Sequence, residues 1–197
     1  MPSMNRPLRK LSVAERPNAK EALEILASAE LLFSAAEIDF AIDQLAVQIT
    51  LEFAESNPVI VCVMTGGLSF TADLIKRLRF PLTLDYLHAT RYREALSGEQ
   101  LKWHVLPHTN MKDKTVIILD DVLDYGITLA EVVKQPVFDE AKRVVIAVML
   151  DKKLDRAKPI QADYAALTAG DRYAFGRGMD CRAYWRNLPD IYALPEQ

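Results

Sequence analysis

Thirteen residues, Val116-Ile-Ile-Leu-Asp-Asp-Val-Leu-Asp-Tyr-Gly-Ile-Thr128, constrain the fold of this chain more than any other stretch. Residues 116–119 are all apolar and three of them are β-branched. Such a run reads as a buried strand of a parallel sheet, covered on both faces and needing no polar alternation. Carboxylates then gather at its C-terminal end, which is the edge where open α/β sheets bind ligands. Asp124, Tyr125, Gly126, Ile127 and Thr128 follow as a turn into a helix over Leu129–Lys134. Amides at a helix start, a glycine that permits close approach and a threonine hydroxyl together make an anion cradle. Acids ahead of a phosphate-sized nest suggest a ribose phosphate. A receiver-type or other Rossmann-like strand end fits the same residues.

A second turn has similar properties. Pro58–Met64 reads as a strand running into Thr65-Gly66-Gly67 and an amphipathic helix over Leu68–Leu78. This is not a Walker loop, which needs Lys-Ser/Thr after the glycines, nor the three-glycine dinucleotide fingerprint. Leu82–Leu87 reads as a strand. Arg91–Gln100 is a polar excursion, as at a hairpin tip, and a short strand-like piece follows through Trp103 and Val105. Arg143–Leu150 is another buried strand, ending in Asp151-Lys152-Lys153 at the same ligand edge. All seven glycines, at 66, 67, 98, 126, 170, 176 and 178, fall in or beside these loops and the run Asp171–Asp180, and none lies in the first 65 residues.

Asn18–Glu55 lacks glycine and proline and is rich in Ala, Leu, Glu and Ile, so two helices are expected there. Ser34 and Glu37 have the spacing of a capping box. Ile38, Ile42, Leu45, Ile49 and Phe53 recur at helical spacing and define one core-facing stripe.

With 197 residues, half of them hydrophobic, the chain is long enough for one domain with a real core. No apolar run approaches the roughly 20 residues that span a bilayer. Met1–Lys20 carries charges and prolines where a signal peptide has its apolar segment, and two cysteines, Cys62 and Cys181, read as reduced thiols. A cytoplasmic location is therefore expected. The formal charge is −3 overall, and Met1–Lys20 contributes +4, which leaves −7 on the remainder. An acidic body argues against a nucleic-acid groove.

The pattern at 116–128 resembles the phosphoribosyl-pyrophosphate (PRPP) motif of the type I phosphoribosyltransferases. Asp171-Arg-Tyr-Ala-Phe-Gly-Arg-Gly-Met-Asp180 and Tyr184-Trp-Arg-Asn-Leu188 narrow the resemblance to the hypoxanthine-guanine (6-oxopurine) phosphoribosyltransferases. It covers about Ile38 to Leu188. The implied fold is α/β, a mostly parallel twisted sheet flanked by helices. A small hood is formed by the N-terminal helices and about 163–197, in a single domain with a flexible arm at 1–17.

The implied activity is transfer of phosphoribose from PRPP to N9 of a 6-oxopurine, with magnesium and with release of pyrophosphate. Asp120 and Asp121 would accept ribose hydroxyls and face the metal. Asp124, Tyr125, Gly126, Ile127 and Thr128 would hold the 5′-phosphate, and Asp124 would be the general base. Thr65, Gly66 and Arg186 would bind pyrophosphate, the first across a cis Met64–Thr65 peptide, and Thr65 stands where the family commonly has lysine. Lys152, Tyr173, Ala174 and Asp180 would bind the purine, with Asp180 also a magnesium ligand. Arg91 and Tyr92 would open the family's mobile loop, Arg91 replacing its usual serine. A homodimer or homotetramer is implied. The competing expectations are a regulator of the same fold that senses PRPP or nucleotides, and an adenine or orotate transferase.

Overall fold

The computed structural model describes residues 17–94 and 98–195, the side chains of 91–94 and 98–100 excepted. Its frame is a six-stranded sheet in the order β4-β3-β2-β5-β6-β7. The strands are β2 (Val59–Met64), β3 (Thr83–Glu94), β4 (Gly98–Val105), β5 (Thr115–Leu123), β6 (Arg143–Lys152) and β7 (Tyr164–Ala169). All neighbours run parallel except the antiparallel β3–β4 pair. The expected mostly parallel architecture is the one observed.

The continuous apolar run in β5 has a simple cause. Successive side chains of a strand point to opposite faces, and here both faces are covered. Ile117 and Leu119 join one core with α2 (Ala35–Phe53) and α3 (Gly67–Ile75). Val116 and Ile118 join another with Leu129 and Val132 of α4 (Ile127–Val132) and with Phe138. Each fully buried side chain of this size is worth about 1.5–3 kcal/mol, so a polar residue in the run would face an apolar layer on either side.

The stripe expected in α2 is buried at Ile38, Ile42, Leu45, Ile49 and Phe53, and the Ser34–Glu37 capping box is formed. The preceding segment differs from expectation. Helix α1 is confined to Ala19–Ser28, capped by a second box between Asn18 and Glu21, and Glu30–Phe33 is a strand, β1. It pairs with β9 (Ile191–Ala193), which also pairs with β8 (Ala174–Phe175), giving a three-stranded antiparallel sheet from the two chain ends.

The hood is smaller than the expected 163–197. Tyr164–Ala169 pairs in parallel with β6 and belongs to the main sheet. Nor is α2 a hood helix, because its apolar stripe lies in the main core. Helix α1 does touch the C-terminal segment, its Ala22 carbonyl accepting a hydrogen bond from Trp185 Nε1 at 3.1 Å. Residues 1–16 of the expected arm lie outside the described residues, and Pro17 is buried.

Strand boundaries also shifted. β3 runs on from Leu87 to Glu94 because β4 pairs with it, Arg91 opposite Leu101 and Tyr92 opposite Gln100. Ladder hydrogen bonds hold this polar segment extended without an apolar pattern. Helix α4 starts at Ile127, two residues earlier than expected, with Gly126 left-handed (φ +77°) as its N-cap. Helix α3 ends at Ile75 rather than Leu78. No helix among the described residues is long and apolar enough to cross a membrane.

Candidate active site

Two cavities adjoin at the C-terminal edge of β2, β5 and β6. The larger, about 260 Å3, is lined by Thr65, Gly66, Asp120, Asp121, Asp124, Gly126, Thr128, Asp180 and Arg186. The smaller, about 170 Å3, is lined by Asp121, Asp124, Lys152, Tyr173, Ala174, Met179 and Asp180. Asp121, Val122, Asp124 and Asp180 belong to both walls. Thr65 and Arg186, 121 residues apart, therefore meet at one place.

Parallel strands explain much of this convergence, since every β2, β5 and β6 C-terminus emerges on one edge. β5 ends at Leu123, opposite Asp151 of β6. That register sets Asp124 beside Lys152, whose Nζ lies 3.2 Å from Asp124 Oδ1. The pair is at ion-pair distance without hydrogen-bond alignment, and this buried oxygen has no hydrogen-bond partner. Lys152 is itself buried, with 8% of its surface exposed.

Asp121 stands in the wall that the two cavities share. Burial pushes its carboxyl above the ordinary aspartate range, only partly offset by a hydrogen bond with Asp120 and by the charge of Arg186. One of its oxygens accepts from the Val122 amide at 2.8 Å, and an Asp120 oxygen accepts from the Asp121 amide at 2.9 Å. A buried carboxyl that resists ionisation is one that a nearby cation would favour. Hard carboxylate oxygens suit magnesium, which keeps several waters and needs few protein ligands. The residues thus fit that ion, although no group of three or more His, Cys, Asp or Glu among the described residues forms a metal cage.

The Thr65–Gly67 turn is shaped by close packing. The Met64–Thr65 peptide is cis, as the resemblance implied. A Cβ on Gly66 would sit 1.9 Å from Asp121 Oδ2. Likewise a Cβ on Gly178, where φ is +107°, would sit 2.2 Å from the Gly66 carbonyl oxygen. Glycine is required at 178, since the hood turn rests directly on the backbone of the Thr65–Gly67 turn, whereas a side chain at 66 would displace the Asp121 carboxylate.

Across the cavity, Arg186 donates to the Gly178 carbonyl and to Asp180 Oδ1, each at 2.6 Å, and lies 4.0 Å from Asp121 Oδ2. The second Asp180 oxygen accepts from the Ala183 amide at 2.7 Å. Tyr173 lines the smaller cavity with half its surface exposed, while its hydroxyl donates to the Asp180 carbonyl at 3.2 Å. Burial of the phenol, with Cys181 and Asp180 nearby, raises its pKa to about 12. An exposed ring with a tethered hydroxyl is a platform on which a flat base can stack.

Of the expected site residues, only the side chains of Arg91 and Tyr92 lie outside the described residues. Tyr125 and Ile127 belong to the loop, though neither lines the two cavities. Sequence reasoning passed over Val122 and Met179, which also line the walls. Their only signal was position, between Asp121 and Asp124 and beside Asp180. It also passed over Arg177, which fastens the hood by bonding to Asp39, Asp73 and the Pro189 carbonyl.

A family model described as a phosphoribosyl transferase domain matches residues 28–181. The hypoxanthine-guanine phosphoribosyltransferase of Bacillus subtilis (strain 168) is 30% identical over 166 residues, covering 84% of this chain and 92% of that protein. The hypoxanthine-guanine-xanthine phosphoribosyltransferase of Tritrichomonas foetus is 29% identical over 167 residues, covering 84% and 91%. A solved hypoxanthine phosphoribosyltransferase from Staphylococcus aureus superposes with a TM-score of 0.80 at 26% identity, over 90% of this chain and 96% of that one. One from Trypanosoma cruzi, in complex with the product IMP, gives 0.77 at 26% identity, over 85% and 95%. Two cavities with a shared acidic wall, on a sheet of this topology and with relatives of this kind, lead to one conclusion: the chain belongs to the phosphoribosyltransferase family, among its hypoxanthine-guanine members.

Proposed function

We propose that this chain transfers the 5-phosphoribosyl group of PRPP to N9 of hypoxanthine or guanine, yielding IMP or GMP and pyrophosphate. The observation that carries the reading is the juxtaposition of the two cavities across Asp121, Asp124 and Asp180. A sugar phosphate in the larger and a base in the smaller would meet over that wall.

Each role follows from chemistry. Amides and hydroxyl of Asp124–Thr128 receive the 5′-phosphate, and Asp120 with Asp121 receive ribose hydroxyls. The backbone of Thr65 and Gly66 and the planar fork of Arg186 take the diphosphate. Lys152 donates to the 6-oxo group, Tyr173 stacks on the ring and the Ala174 backbone reads its edge. Asp180, with Asp120 and Asp121 nearby, would hold magnesium, which when bound neutralises the diphosphate leaving group.

The Lys152–Asp124 pair gives the base site a preformed exchange. Each charge compensates the other before the base enters. In the complex Lys152 turns to O6, and Asp124 accepts the N7 proton as N9 bonds to C1 of the ribose and the bond to pyrophosphate oxygen breaks. A carboxylate is a weak base in water, but this proton becomes acidic only as the transition state forms, so position matters more than basicity. Adenine would offer an amino donor to the donor Lys152, which disfavours it.

The sensing regulator draws no support from relatives named as transferases. A cytoplasmic homodimer or homotetramer is part of the same reading and rests on family likeness alone. The test is pyrophosphate release from PRPP, assayed base by base. Release is expected only when hypoxanthine or guanine and magnesium are both present. Release with adenine or orotate, or none with any base, would overturn the reading.

A further inference from the structure

The connector between β6 and β7, Lys153–Asp163, takes no part in the two cavities, yet it touches the phosphate loop at two points and the strand ends beside it at a third. Lys158 Nζ donates to the Leu123 carbonyl and to Asp151 Oδ1, each at 2.7 Å. Only 10% of that lysine side chain is exposed. The Arg156 guanidinium carbon lies 3.8 Å from the centre of the Tyr125 ring. Ile160 abuts Gly126, so that a Cβ there would meet Ile160 Cγ2 at 3.3 Å.

A cavity of about 320 Å3 lies between the connector and the ends of β5 and β6, lined by Leu123, Asp151, Lys152, Arg156 and Lys158 among others. Burying a lysine is costly unless its charge is met. Lys158 is met by one carboxylate and one carbonyl, from residues that immediately precede Asp124 and Lys152 in sequence. Asp151 is also bonded by Lys153, and although burial would raise it, the two lysines hold its carboxyl below the usual aspartate range. Asp151 is therefore a charged anchor.

We propose that Lys158 and Arg156 are positioning residues for the transfer reaction. Lys158 clamps the last rung of the β5–β6 ladder, Leu123 to Asp151, and so steadies Asp124 and Lys152 where the backbone leaves the register that places them. Arg156 holds Tyr125, and through it the phosphate loop, by a cation–π contact. The proposal rests on the reading given under the proposed function.

It assigns separable effects. Arg156 touches only the phosphate side, whereas Lys158 spans the base-side pair. The experiment is steady-state kinetics of the full chain with PRPP, hypoxanthine and magnesium for Arg156→Leu, Lys158→Met and Lys158→Arg, with melting temperatures and calorimetric IMP binding. Arg156→Leu is expected to raise KM for PRPP about three- to tenfold, leaving KM for hypoxanthine within about twofold. Lys158→Met is expected to raise KM for hypoxanthine and lower kcat, each about tenfold, and to weaken IMP binding. Lys158→Arg should recover most of that loss.

Arg156 is exposed, so its variant tests the proposal even where Lys158→Met does not fold. Variants that lower the melting temperature while both KM values and kcat stay within about twofold of the parent would overturn it. Wild-type turnover with such unchanged variants would sink this inference alone. Absence of wild-type turnover would sink the proposed function, and this inference with it.

Discussion

The site has two halves built in opposite ways. The strand-edge half, Asp120–Thr128 with Lys152, comes from two adjacent strands whose ladder fixes every residue's height. The hood half, Tyr173–Arg186, has little regular structure: β8 is two residues long, and Arg177, Arg182, Ala183 and Trp185 all adopt positive φ. It is held by short-range backbone bonds, such as those from the Arg177 and Gly178 amides to the Leu188 and Arg186 carbonyls, and by side-chain ties to backbone, from Arg186 to Gly178, Asp180 to Ala183 and Arg177 to Pro189. A ladder tolerates the loss of one side chain because its bonds are backbone bonds. A web of side-chain ties does not. Strand-edge variants should therefore change chemistry with little change in stability, and hood variants should change both.

The largest effect should come from Asp124→Ala. Its kcat is expected to fall roughly 10²–10⁴-fold, with a smaller effect on PRPP binding. A single-turnover loss below about fivefold would remove Asp124 from the role of base. Lys152→Met comes next. A hydrogen bond from a charged donor is worth about 1.5–3 kcal/mol, so kcat/KM for hypoxanthine should fall by roughly 10–100-fold while KM for PRPP moves little. An equal loss for both substrates would blur the division between the cavities.

On the hood side, Arg177→Met removes bonds to Asp39, Asp73 and the Pro189 carbonyl. About 1.5–3 kcal/mol of stability should go with them, together with a rise in KM for the base. If chemical denaturation shows no loss, the hood is not held as described.

The smallest effect concerns Asp121 and has a definite sign. Burial raises its folded-state pKa, so the native protein binds a proton there more readily than the unfolded chain. Its contribution to stability is full below the unfolded aspartate range, about pH 4, and is lost as pH rises through the raised folded value. Asp121→Asn should thus raise the melting temperature at neutral pH, with a gain that shrinks toward acid pH, while weakening magnesium-dependent PRPP binding. A gain independent of pH would assign it to some other cause.

The same contrast governs what was legible in the sequence. The strand-edge half could be read residue by residue because its chemistry is contiguous: an apolar run covered on two faces, then acids, then a glycine turn. Helix α2 was legible for the same reason, through its capping box and its stripe. Strand β1 was not. Glu30-Leu-Leu-Phe33 lies in an Ala- and Leu-rich stretch without glycine or proline, and it becomes a strand only by pairing with residues 191–193. Tyr164–Ala169 gave no local sign of which sheet it would join, since the choice depends on β6. Arg177 lay in a recognised run, but its partners on α2 and α3 are set by tertiary packing. Distant pairing is what one sequence hides best.

The two-cavity claim is tested most directly by a crystal structure of the chain with IMP. The account expects the phosphate at Gly126–Thr128 and the hypoxanthine ring over Tyr173, with O6 within hydrogen-bond reach of Lys152 Nζ and N7 facing Asp124. A base lying outside the Lys152–Tyr173 cavity, or a phosphate away from the loop, would contradict it.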